Sequence, residues 1–528
     1  MINLFIYQNT PKINFDNYTE EQYYNDITTY GIKEVWYAII KENINKKPDN
    51  TSIIHIDNFG MLYELGLAFV NKKSKQEAGI YYTPSDVANV MADFFNELKG
   101  ENIGDVACGT GNLIISVLSR IDNARDILLN GNVYLYDNDE LALLICRHKI
   151  AILFGREVFD NIKCYCGNFL DDKTALPSNC KVISNPPYYK IDVNNCDFTL
   201  TDIAKQCREL YGAFMEKIIR YSKASVLITP YSFLSGNKFS KMRYFLNDYS
   251  GYFFSFDNVP GNIFCGNKIG TLSSSNRNSV RTTITVVNNE GDKGFRTSQL
   301  IRFHNSEREG LLNRDFLYGL LSDKKQIIDG SNPIYCKHIK DLECLYDLWV
   351  SKSNSTLAEC TVKKSSFTGQ DGEGWVVYMP HACRYFTCGV TYPMKRAMRD
   401  TIYAKDEKSF YYIYTMLNSS FAYWYWRMFD GGINFSSSLA LKMPSFIDVI
   451  SDEQYQKMKE LVDEIIADET KYIVKKMNAG EYQENVKFPI EYRRKFDELI
   501  LEILGLEIDL HILDVPYSKT ILGVSGVE

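Results

Sequence analysis

Asn185-Pro186-Pro187-Tyr188 is the stretch of the chain best suited to chemistry. Two successive prolines set two φ angles and remove two backbone donors, which makes a rigid turn with carbonyls that act only as acceptors. The Asn185 amide oxygen and the Pro186 carbonyl can together accept both N–H bonds of one amino group, and the Tyr188 ring can lie on a flat base. An exocyclic aromatic amine is a weak nucleophile because its lone pair is delocalised. Two acceptors on its hydrogens favour a pyramidal nitrogen that can attack. The electrophile suited to such a site is a methyl group on a sulfonium, held in line with the amine. A duplex hides that nitrogen, so the base has to be swung out into the pocket. The plain alternative is a proline turn with polar and aromatic neighbours.

The elements that must position this quartet form an alternating pattern. Val182-Ile183-Ser184 reads as the end of a buried strand, which places the turn at the carboxyl edge of a sheet, where open α/β sheets bind ligands. Upstream, Asn102-Ile103-Gly104 leads into Asp105-Val106-Ala107-Cys108-Gly109-Thr110-Gly111-Asn112, followed by a helical run through Leu118. A second strand, Val133 to Tyr136, ends at Asp137, placed to receive a ribose diol. Ile114 stands where a dinucleotide fingerprint would have its third glycine, so the pattern favours a nucleoside without a pyrophosphate. A third strand, Ile162 to Cys166, ends at Asn168 and Phe169, one able to bond an adenine edge and the other to cover its face. The alternative for that pair is an Asx turn beside a core phenylalanine. Before the first strand, Tyr82-Thr83-Pro84 opens an amphipathic helix carrying Val87, Val90, Met91, Phe94 and Phe95, with Thr83 predicted as N-cap and Pro84 in the first turn.

These segments predict an α/β domain over 78–298, built on a largely parallel sheet covered on both faces. Residues 1–77 read as a helical lead-in without the acidic-lysine constellation of a metal nuclease, 299–446 as a mixed α+β region, and 447–528 as a helical tail. The 13 cysteines form no CxxC pair, so they read as reduced core residues and no metal site is predicted. With 24% charged residues, no apolar run long enough to span a bilayer and no leader at Met1 to Ile6, the expected address is cytoplasmic.

The formal charge of −7 argues at first against a nucleic-acid partner. Its distribution does not. Residues 360–445 hold ten Lys and Arg against six Asp and Glu, and 446–528 hold ten against eighteen. The basic stretch interleaves cations with aromatics, around Arg384, Lys395, Arg396 and Arg399, although Trp424 and Trp426 read as core. The polar segment 266–281, with Lys268, Arg277 and Arg281, reads either as a phosphate-contacting loop or as an idle surface loop.

Taken in this order, the motifs resemble the gamma class of amino DNA methyltransferases, the TaqI-like adenine enzymes. The resemblance covers roughly 79–290. It implies a Rossmann-like S-adenosylmethionine-dependent methyltransferase sheet with a C-terminal target-recognition domain. It implies cofactor contacts at Tyr82, Thr83, Asp105, Cys108, Gly109, Gly111, Asp137, Asn168 and Phe169, and catalysis at Asn185 to Tyr188. Double-stranded DNA is the implied partner, within a restriction-modification or related defence system, the chain acting alone or with a partner subunit. Asparagine before Pro-Pro-aromatic favours adenine. The alternatives are a same-fold enzyme acting on RNA or a protein glutamine, and a DNA-binding protein with a degenerate site. Three positions depart from the family: Val106 replaces a proline, Asn168 stands where many members have aspartate, and Ile284 to Asn288 lacks an aromatic for the second face of the flipped base.

Overall fold

The computed structural model describes residues 10–71, 83–264, 280–326, 334–367 and 374–522, except positions 382, 384, 385, 397, 431, 433, 479 and 519. Tyr82, Lys268, Arg277 and Arg384 lie outside the described residues. The chain divides into two compact units, 1–335 with 520–522, and 336–519 with 523–528.

The first unit is organised by an eight-stranded sheet. Its strands are β1 (Asn102–Val106), β2 (Val133–Asp137), β3 (Lys163–Cys166), β4 (Cys180–Ser184), β5 (Ala224–Pro230), β6 (Ser250–Phe256), β7 (Thr282–Asn288) and β8 (Gly294–Ile301). They lie in the order β3-β2-β1-β4-β5-β7-β6-β8. From β3 to β5 every pairing is parallel. β7 runs antiparallel to both β5 and β6. The order reverses between β1 and β4, so the turns leaving these two neighbouring strands diverge and open a crevice at their carboxyl ends.

Side-chain alternation puts apolar residues on both faces of the sheet. Ile183, Val226 and Ile228 pack on one side with Val87, Val90, Met91, Phe94 and Phe95 of helix Ser85–Asn96. Val182 and Leu227 pack on the other with Leu210, Phe214 and Ile218 of helix Leu210–Tyr221. The helical start of the chain has its own core around Trp36, Phe59 and Tyr63, closed by Ala142 and Ile145 of helix Glu140–Phe154. β8 crosses position 298, so the sequence-based limit there falls inside a strand and the unit continues to 335.

The second unit gathers helices Glu407–Asn418, Ser420–Phe429, Asp452–Asp468 and Ile490–Leu504 around Trp349, Trp424 and Trp426. Residues of the predicted tail, among them Val462, Ile465 and Ile500, therefore share one core with residues before 446. Three small antiparallel sheets complete it among the described residues: Ser355–Thr356 with Pro444–Ser445, Val376–Pro380 with Arg399–Tyr403, and the hairpin Ile473–Asn478 with Glu481–Val486. Among the described residues no helix is long and apolar enough to cross a membrane, and no group of three or more His, Cys, Asp or Glu is placed to hold a metal.

Candidate active site

The turn after β1 bends back on itself through three left-handed residues: Ala107 at φ 58°, Gly109 at 51° and Gly111 at 89°. The requirement for glycine is strictest at 111, where a Cβ would come 2.4 Å from the Cys146 sulfur. Ala107 holds the same region with a side chain, which costs about 1 kcal/mol and marks a turn over-determined by its surroundings. Cys108 N–H donates to the Tyr136 carbonyl at 3.1 Å, and Gly109 N–H to Asp137 Oδ2 at 2.7 Å. The turn is thus sewn to the end of β2.

Asp105 and Asp137 differ in what they face. Asp105 is fully buried, and its Oδ2 accepts from Ile114 N–H at 3.1 Å, pinning the first turn of helix Asn112–Leu118 from below. Burial pushes its carboxyl well above the usual carboxylate range. Asp137 reaches the crevice. Its Oδ1 accepts from Asp139 N–H at 2.9 Å, and burial raises its carboxyl against the pull of the backbone N–H groups of Asp139, Gly109 and Asn138. A carboxylate has about four acceptor positions, so acceptor capacity for a ligand hydroxyl is left.

The turns after β1 to β4 meet at one cavity of about 770 Å³, within the size range of small-molecule sites. Thr83, Cys108, Gly109, Asp137, Asn168, Phe169, Asn185, Pro186 and Pro187 line it. Asp105, Gly111 and Tyr188 do not: the first two stand behind the wall as supports, and Tyr188 is held within the quartet. Phe169 is buried and meets Tyr136 edge-on at 5.5 Å and Phe214 at 5.6 Å. Asn168 closes an Asx turn, its Oδ1 accepting from Leu170 N–H at 2.9 Å.

Asn185 is oriented from several sides. Its Nδ2 donates to Thr83 Oγ1 at 2.9 Å, and its Oδ1 lies 2.7 Å from the Tyr188 hydroxyl, which is also 2.8 Å from the Ile228 carbonyl. Both partners of the amide are hydroxyls, and the Tyr188 hydroxyl donates to Asn185 Oδ1 while the Thr83 oxygen accepts from Nδ2. Thr83 is held in turn, because its carbonyl accepts from Asn112 Nδ2 at 3.1 Å and Asn112 Oδ1 accepts from buried Lys149 at 3.1 Å. Burial lowers the Lys149 ammonium to about 8. Helix Ser85–Asn96 takes Pro84, not Thr83, as its N-cap. Thr83 is one residue too early to cap, and its hydroxyl serves Asn185 instead.

Three contributors to the site escaped the sequence reading. The helix Phe59–Asn71 supplies Tyr63 and Glu64 to the cavity wall, and Tyr63 donates to Asp139 Oδ2 at 2.7 Å while Asp139 Oδ1 caps helix Glu140–Phe154. A polar Tyr-Glu pair inside an otherwise apolar helix was the available signal. The segment 190–198 forms another wall, with Asp192, Asp197 and Phe198. Phe264, after β6, places its ring 6.1 Å from Tyr188 at 59°. Phe264 thus stands in the segment after β6 and not on β7, the strand where the sequence predicts a second ring to be missing.

In the second unit, Lys395, Arg396 and Arg399 line a cavity of about 680 Å³ together with His381 and Asp400. Lys395 and Arg399 are exposed, whereas Arg396 bonds Asn485 and the Glu484 carbonyl of the hairpin. Arg281 is half-buried and donates to Asp257 Oδ1 at 2.8 Å, bracing the start of β7. Trp424 and Trp426 are core, as their pattern predicts.

Comparison with known proteins gives one family match: residues 54–309 fit the family described as N-6 DNA Methylase. The chain is 30% identical over 165 residues to Type II methyltransferase M.VspI of Vibrio sp. (strain 343), covering 30% of this chain and 35% of the relative. It is 28% identical over 188 residues to Type II methyltransferase M.BsuBI of Bacillus subtilis, covering 32% and 37%. The chain thus spans little more than a third of these relatives' length. Among solved structures it aligns with a DrdV–DNA complex at TM-score 0.43 and 15% identity, over 68% of this chain and 40% of that one.

Proposed function

We propose, from the match of residues 54–309 to the family described as N-6 DNA Methylase, that the chain methylates N6 of a flipped-out adenine in double-stranded DNA, using S-adenosylmethionine, as part of a restriction-modification or related defence system. The observation that carries this reading is the orientation of Asn185 at the edge of a cavity that also holds an acid at the end of β2. The donor set fits the cofactor: Asp137 for a ribose diol, the Ala107–Gly111 turn for close backbone approach, and Phe169 for the face of a purine. When bound, the cofactor supplies an electrophilic methyl group.

The protein's part is to prepare the nucleophile. Asn185 Oδ1, turned away from Thr83 by the Nδ2 bond, accepts one amino hydrogen of the target base, and the Pro186 carbonyl accepts the other. Arrival of the amine lets the Tyr188 hydroxyl settle on the Ile228 carbonyl, already 2.8 Å away. No strong base has to act before attack, since the amine proton becomes acidic only as the new bond forms. Tyr188 is the ring offered to the base, and Phe264 packs against it at 6.1 Å and 59°, supporting that ring from behind. Lys395 and Arg399 are the exposed cations proposed for phosphate contact, with Arg396 beside them.

The test is modification of DNA in a host expressing the chain. Single-molecule sequencing is expected to find N6-methyladenine in one sequence context, absent from a host carrying Asn185→Ala. Unmodified adenine, with tight S-adenosylmethionine binding by the purified chain, would overturn the catalytic reading and leave a binding protein.

A further inference from the structure

A purine with a 6-amino group presents a donor at N6 and an acceptor at N1, and the third strand end meets this edge in an unusual way. Asn168 Oδ1 is turned inward to Leu170 N–H. Its Nδ2 donates to Asp197 Oδ1 at 3.1 Å. The assignment of the two amide atoms is fixed from both ends, because a backbone N–H needs an oxygen and a carboxylate needs an N–H. The side chain at the strand end therefore offers a donor outward, which opposes a 6-amino group. The acceptor stands one hydrogen bond further on, at Asp197.

Resting on the cofactor reading above, the geometry points to Asp197 as the acceptor for the 6-amino group of the cofactor's purine, with Asn168 as the residue that positions it. Asp197 lines the same cavity as Phe169. Its loop is built rather than loose. Lys190 and Glu209 form an antiparallel bridge, Ile191 N–H donates to the Arg208 carbonyl at 3.0 Å, and Thr199 donates to Asp172 at 2.7 Å, tying the far end to the turn after β3. Of the other acids of the cavity, Asp137 and Asp139 hold backbone N–H groups, Asp192 accepts from Asn194 N–H within its own turn, and Glu64 belongs to helix Phe59–Asn71, where no hydrogen bond ties it to Asn168. Because Asp197 follows the quartet by nine residues, cofactor base and target base are recognised from one continuous segment.

The test compares two ligands that differ only at the purine edge, S-adenosylhomocysteine and S-inosylhomocysteine, by calorimetric titration of the full chain. Asp197→Asn keeps size and removes the charge at an exposed position, so folding is preserved. It is expected to weaken S-adenosylhomocysteine binding about 10-fold, the scale of one charge-assisted hydrogen bond, and to leave S-inosylhomocysteine within about 2-fold. The exchange Asn168→Asp with Asp197→Asn returns the carboxylate to the strand end with the pair intact, and is expected to restore the adenine preference to within about 3-fold of the parent. Unchanged affinities in Asp197→Asn, or equal losses for both ligands, would overturn the assignment while leaving the cofactor reading in place. A parent chain that binds neither ligand would overturn both.

Discussion

The turns at the carboxyl edge of the first unit's sheet and the aromatic-basic run Phe421–Arg427 of the second unit are equally rich in residues that could meet a ligand, yet they end in opposite places. The turns bring Asp137, Phe169 and Asn185 out to one cavity. The run, on helix Ser420–Phe429, takes Trp424, Trp426 and even Arg427 into the core, with the guanidinium carbon 5.4 Å from the Trp426 ring centroid. A turn is constrained locally, because glycine at 111 and proline at 186 and 187 dictate backbone geometry wherever they stand. A helix is constrained only by which face finds a partner, and composition does not carry that information.

The comparison breaks first at Asn185. If the edge turns form the catalytic half, Asn185→Ala removes one of two acceptors on the amine and lowers single-turnover methyl transfer by about 10³-fold, the scale of losing one preorganised polar partner. Cofactor affinity stays within about 3-fold, since Asn185 holds Thr83 and Tyr188 and not the nucleoside turns. Loss of cofactor binding in the variant would instead make Asn185 part of the cofactor wall.

The same contrast explains what could be read in advance. β1 to β5, their parallel pairing and the cavity-lining turns follow from strand-turn-helix alternation, in which local and global preferences agree. The supporting role of Asp105 was hidden, because sequence shows an acid beside a glycine turn but not whether it points into the core or the crevice. Phe264 was hidden because it lies in the segment after β6, outside any strand or helix whose pattern could place it. Tyr63 was hidden by distance, 76 residues from the aspartate it bonds.

Asp497 sharpens the other side of the comparison, since the second unit uses a buried acid for architecture. Its Oδ1 accepts from Ser420 N–H at 2.7 Å and its Oδ2 from the Ser420 hydroxyl at 2.6 Å, closing the start of the tryptophan helix. Burial is the main cause that raises its carboxyl to about 7. The folded state thus binds this proton more tightly than the unfolded chain does. The associated stability is full below about pH 4 and is lost as the pH rises through 7. Asp497→Asn keeps both bonds without the titration. It is expected to match the parent near pH 4 and to exceed it by on the order of 3 kcal/mol at pH 8.5. Urea unfolding followed by tryptophan fluorescence reports this unit, which holds four of the five tryptophans. Parallel pH curves for parent and variant would show that Asp497 ionises without cost in the fold.

The smallest effect is the one that decides whether the second unit touches DNA at all. Lys395 and Arg396 are adjacent in sequence but differ in freedom. Arg396 bonds the hairpin at Asn485 and Glu484, so replacing it disturbs packing as well as charge. Lys395 is exposed, and the bond to Glu484 Oε2 comes from its backbone N–H, which survives substitution. Lys395→Ala is therefore the cleaner probe. One lost phosphate contact is expected to weaken DNA binding several-fold near 0.1 M salt and to flatten the slope of log affinity against log salt by about one unit. Adding Arg396→Ala deepens both effects if the two cations meet separate phosphates. If Lys395→Ala leaves the slope unchanged while Arg396→Ala only lowers the unfolding midpoint, this patch joins the tryptophan helix as scaffold, and the cations that bind phosphate belong to another surface of the chain.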